Sequence, residues 1–78
     1  MNRFDEIRQR LIREDPQYQR CAGKHEQYEK RLEELQGLRF QNADERTEAV
    51  KLKKMKLFVK DEMERIVRRA AESASASA

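Results

Sequence analysis

The sequence predicts an all-α fold, in which a short N-terminal helix leads into a long antiparallel helical hairpin of coiled-coil character that forms oligomers. Three observations carry this expectation. Of 78 residues, 42% are charged and 37% hydrophobic, with only two glycines and one proline, which is the balance of long-helix proteins. Apolar side chains recur at helical spacing through 51–67, KLKKMKLFVKDEMERIV, a stretch otherwise made almost wholly of charges. Tyr18, Cys21, His25, Tyr28, Leu32 and Leu35 follow one another in alternating steps of three and four, the spacing of a coiled-coil seam rather than the broad face of a globular helix.

The first helix is expected from about Arg3 to Glu14, with Asn2 as N-cap and Phe4, Ile7 and Leu11 on one face. It is short, so it must dock. Asp15-Pro16 reads as a cap followed by proline at the first helical position, where the missing N–H costs nothing and the fixed φ favours helix. The second helix therefore starts there. Its N-terminal half is weak, because Cys21 and His25 offer less apolar volume than leucine and Gly23 costs about 1 kcal/mol against alanine inside a helix. Gly37 is the expected terminator and 38–43 the connection, with Asn42 and Glu45 spaced as a capping box opening the third helix.

The third helix should reach from about Ala43 to Glu72, roughly 45 Å against roughly 35 Å for Pro16 to Leu38. The two lengths suit a paired hairpin. Residues 1–72 then form a single helical-hairpin domain and 73–78 an unstructured Ser/Ala tail. At about 100° per residue, Leu52, Met55, Val59, Met63, Ile66, Val67 and Ala70 fall within an arc of about 120°, while Lys53, Asp61, Glu64 and Arg68 point elsewhere. Each large apolar side chain removed from water stabilises by about 1.5 to 3 kcal/mol, so the stripe needs a partner.

These patterns give the expected hairpin or oligomer interface: Tyr18, Tyr28, Leu32, Leu35, Leu52, Met55, Val59, Met63 and Ile66. More specifically, Leu52, Val59 and Ile66 are expected against Leu32, Leu35 and Tyr28, with Lys53 and Glu64 exposed. Val50 and Leu57, near 150° from Leu52 on the wheel, and Phe58, near 240°, lie off the stripe and are candidates for a second interface. Charge is uneven as well: +1 over 1–20, −2 over 21–50 and +4 over 51–78. The opposite bias of the two long segments suits antiparallel pairing, although exposed pairs contribute only about 0 to 1 kcal/mol each.

Size limits what the chain can do. It has no room for a large enzyme core, and Cys21, its only cysteine, provides no disulfide framework. Self-association is the expected remedy. Met1 to Leu11 is charged where a signal peptide would be apolar, and no run approaches the roughly 18 residues of a membrane span, so the expected location is the cytoplasm. Cys21 and His25, four apart, with Glu29 a turn further on, offer at most two or three metal ligands from one helix, and no pocket or oxyanion hole for nucleophilic chemistry. Neither a metal, a cofactor nor a small-molecule substrate is expected. The basic residues Lys51, Lys53, Lys54, Lys56 and Lys60 are the alternative cue, for nucleic-acid contact. Their scatter around the wheel and interruption by Asp61, Glu62 and Glu64 argue against a phosphate-binding stripe.

Lys24-His25 followed by Tyr28, Glu29 and Leu32, the run LKKMKLFVKDEM from Leu52 to Met63, and Asp-Pro-Gln-Tyr at the start of the second helix resemble the YdcH-like family. These are small bacterial proteins of unknown function. The resemblance covers roughly Phe4 to Val67 and implies a short leading helix followed by an antiparallel hairpin that forms coiled-coil oligomers; it brings no catalytic residues. Cys21-Ala22-Gly23 stands where that family usually has bulkier apolar residues, and the connection around Asn42 to Arg46 is longer. The functional expectation is a non-enzymatic helical protein that acts by self-association, as a two-fold dimer forming a four-helix bundle, and by contact with another protein. The alternative is a nucleic-acid-associated regulator using Lys51 to Arg69.

Overall fold

The computed structural model describes residues 2–76, with side chains as far as Ser73. These residues form three helices and no strand: α1 (Arg3–Glu14), α2 (Pro16–Gln36) and α3 (Ala43–Ala76). Local sequence sets each start. Asn2 Oδ1 accepts the Asp5 amide at 2.9 Å, and Asp15 Oδ1 accepts the Tyr18 amide at 2.9 Å. The Asp15 amide also closes the end of α1 by donating to the Leu11 carbonyl at 2.8 Å, so one residue ends one helix and begins the next. At α3 the capping box is reciprocal: the Glu45 amide donates to Asn42 Oδ1 at 2.8 Å and the Asn42 amide to Glu45 Oε1 at 2.9 Å.

One helix end is as expected and one is not. Gly37 does follow α2, but with φ −78° and ψ −11° it stays right-handed. The orphan carbonyls are met instead by the Gly37 amide on Glu33 (2.9 Å), the Leu38 amide on Leu35 (3.2 Å) and Gln41 Nε2 on Leu35 (2.8 Å). The α3 helix continues past Glu72 to Ala76, into the segment expected to be unstructured. Ser73–Ala76 holds neither glycine nor proline, and alanine is the strongest helix former, so nothing stops the helix there. Residues 77 and 78 of that expected tail lie outside the described residues.

The α2 and α3 helices pair antiparallel. Near the tip, Leu32 and Leu35 pack with Ala49 and Leu52, flanked by Tyr28 and Met55. At the open end, Tyr18 packs with Ile66 and Val67, and there α1 adds Ile7 and Leu11. The α3 helix spans about 51 Å and α2 about 32 Å, which agrees with a longest dimension of 54 Å and leaves α3 overhanging. The overhang is where α1 docks, and Arg3 Nη2 reaches the Ala71 carbonyl at 3.1 Å. Phe4, expected to share the buried face of α1, remains 46% exposed, because the docked turn is the one carrying Ile7 and Leu11.

One packing expectation is corrected. Leu52 does meet Leu32 and Leu35, but Ile66 packs with Ile7, Leu11 and Tyr18 instead. The fourteen residues from Leu52 to Ile66 advance α3 by about 21 Å, which carries Ile66 from the tip to the open end. Val59 is buried midway, between the two clusters.

Candidate interaction surface

Of the nine residues expected at a hairpin or oligomer interface, Tyr18, Leu32, Leu35, Leu52, Val59 and Ile66 are buried, and Tyr28, Met55 and Met63 half-buried, within one chain. The half-buried Tyr28, Met55 and Met63 keep part of their surface in solvent. Leu35 is the deepest, at 0% exposure. Lys53 and Glu64 are exposed. Ala49, Ile7, Leu11 and Val67 complete the core; Ala49 was not expected, although it lies three residues before Leu52 on the same stripe.

What the fold leaves outside is the opposite face of α3. Val50, Leu57 and Phe58 are 54%, 60% and 68% exposed. Phe58 borders a shallow groove of about 410 Å³ whose apolar floor is Tyr28, Met55 and Val59 and whose polar rim is Lys24 and Lys54. The groove forms because the half-buried Tyr28 and Met55 flank the seam while Phe58 stands beyond it on α3. Phe40, in the connection between α2 and α3, is also 85% exposed; periodicity cannot flag a residue outside a helix.

The lysines divide. Lys51, Lys53, Lys54 and Lys60 are exposed. Lys56 is half-buried, and its Nζ lies 3.4 Å from Glu29 Oε1 across the hairpin. Glu29 Oε2 is in turn 3.8 Å from His25 Nδ1, so the carboxylate one turn beyond Cys21 and His25 bridges the imidazole and the Lys56 ammonium. Among the described residues no group of three or more His, Cys, Asp or Glu is placed to hold a metal ion. Nor is any helix there long and apolar enough to cross a membrane. Cys21 packs half-buried against the open-end cluster.

The best-formed polar contact is one the sequence does not single out. Arg31 grips Glu48 with two parallel bonds, Nε to Oε2 at 2.8 Å and Nη2 to Oε1 at 2.9 Å, and turns Nη1 to Glu34 at 3.1 Å. The hydrogen bond from Arg31 holds the Glu48 carboxyl below its ordinary range, against a smaller opposing effect of desolvation. Hydrogen bonds to Glu48 and Glu34 hold the guanidinium above its ordinary range. At the other end, burial pushes the Tyr18 phenol up, Arg8 partly offsets this, and Cys21 adds to it. The Arg31–Glu48 pair ties α2 to α3 near the tip.

No protein-family model, curated protein or solved structure matches this chain.

Proposed function

We propose that this chain is a non-enzymatic helical-hairpin protein that acts by associating with itself and with another protein. The observation that supports this reading best is the outer face of α3, where Val50, Leu57 and Phe58 stand in solvent after the hairpin has used its own stripe. Scattered exposed apolar residues are ordinary; three within nine residues of one helix face, beside an apolar-floored groove, form a patch. Membership of the YdcH-like family, a cytoplasmic location and a two-fold dimer belong to the same reading. Static light scattering over a concentration series tests it. The expected result is a mass that rises from 9.4 kDa toward twice that value; a folded monomer at high micromolar concentration removes the self-association.

The second reading, nucleic-acid contact, draws on the exposure of Lys51, Lys53, Lys54 and Lys60. It requires affinity for DNA or RNA that falls steeply with added salt. Absence of binding at low salt eliminates it.

A further inference from the structure

We infer that the occupant of the outer face of α3 is the same face of a second copy, packed antiparallel about a two-fold axis passing between Leu57 and Phe58. This rests on the self-association reading and names its surface and register.

Charge along the exposed face supports it. On the N-terminal side of Leu57 the nearest exposed charges are Lys54, Lys53 and Lys51; on the C-terminal side they are Lys60, Asp61 and Glu64. Lys54 and Asp61 lie seven residues apart, about two helical turns, and so project from nearly the same side of α3 as Val50 and Leu57. A two-fold axis between 57 and 58 exchanges position 54 with position 61. Each copy therefore sets its Lys54 opposite the other's Asp61, giving two equivalent ion pairs. On the flank that carries Leu57, Lys53 and Glu64 come within one turn of each other across the axis. A parallel arrangement in the same register would instead set Lys54 against Lys54 and Asp61 against Asp61, the repulsive alternative.

The apolar residues fit the same operation. Leu57 and Phe58 straddle the axis, so each meets its own counterpart, one on either side of it. The side carrying Phe58 is also the side of the groove floored by Tyr28, Met55 and Val59. Phe58 of the second copy has that groove to enter. The charges fix direction and register, while the leucine and phenylalanine supply the burial.

Sedimentation equilibrium of the full chain at low salt tests the proposal, with circular dichroism confirming that each variant keeps its helix content. All substituted positions are exposed, so the hairpin should survive. The wild-type chain should dimerise, and Phe58→Ser should weaken the dimer about tenfold or more. Lys54→Glu and Asp61→Lys should each weaken it about tenfold, since either change spoils both ion pairs, and the double variant should return to within about threefold of wild type. If the dimer forms but ignores Phe58→Ser and both reversals, this face is wrong while the self-association reading stands. If both reversals weaken the dimer and the double variant does not recover, the antiparallel register is wrong. If the wild-type chain stays monomeric throughout, the reading and the proposal fall together.

Discussion

At the tip of the hairpin, Leu32, Leu35, Ala49 and Leu52 pack across only two helices, and Arg31 clamps Glu48 beside them. At the open end Tyr18, Ile66 and Val67 depend on a third helix, α1, for Ile7 and Leu11. The tip closes a connection of a few residues, so its contacts cost little chain entropy; at the open end the contacts of α1 with α3 join residues more than fifty positions apart. The difference teaches that the hairpin is self-sufficient only where it is short-circuited by its own turn. Elsewhere the chain must recruit another element. Between the two ends Gly23 and His25 leave α2 thinly packed.

Leu35→Ala should produce the largest loss, about 2 to 5 kcal/mol in urea melts, because it empties a fully enclosed site at the tip. Ile66→Ala should cost less, since α1 can settle toward the gap. Equal losses at the two ends would break the distinction between a two-helix and a three-helix end. Lys53→Ala, on the exposed side, should stay within about 0.5 kcal/mol.

The middle of α2 should respond in the opposite sense. A Cβ at Gly23 would meet nothing within 4 Å, so Gly23→Ala should raise stability by about 1 kcal/mol through helix propensity alone. His25→Leu should raise the melting temperature by a smaller step, as a half-buried leucine adds apolar burial at the seam. A fall in melting temperature for His25→Leu, with chelator sensitivity in the wild type, would return Cys21 and His25 to consideration as ligands.

The smallest effect concerns pH at the tip. Because the folded chain holds Glu48 below its ordinary carboxylate range, the unfolded chain binds that proton first. The contribution of the pair is therefore present above the ordinary carboxylate pKa and is lost as pH falls through the lowered folded value. Urea melts of Glu48→Gln should show a shallower acid loss than wild type below about pH 4.5. Parallel acid profiles would mean that the two bonds are too solvated to matter.

Much of this fold is legible in the sequence because it is written locally. Asn2, Asp15-Pro16 and the Asn42/Glu45 box mark helix starts by chemistry that acts within four residues, and the stripe from Leu52 to Ala70 marks the inner face of α3. Periodicity says which face is buried but not which residue lies opposite, so Ile66 was expected at the wrong end of the hairpin. Register also hides the Arg31–Glu48 clamp: the opposite charge bias of the two segments is visible, the particular pair is not. The outer-face candidates Val50, Leu57 and Phe58 were legible as positions off the stripe; the groove beside Phe58 was not, because it is made jointly by α2 and α3.

The most direct test of self-association through α3 is disulfide trapping. In a Cys21→Ala background, Leu57→Cys and Val50→Cys are oxidised separately and resolved on a non-reducing gel. An antiparallel contact centred between 57 and 58 places the two copies of position 57 side by side and separates the two copies of position 50 by about 22 Å along α3, far beyond the span of a disulfide. The account predicts a cross-linked dimer for Leu57→Cys and none for Val50→Cys. Cross-linking at both positions, or at position 50 alone, would contradict it.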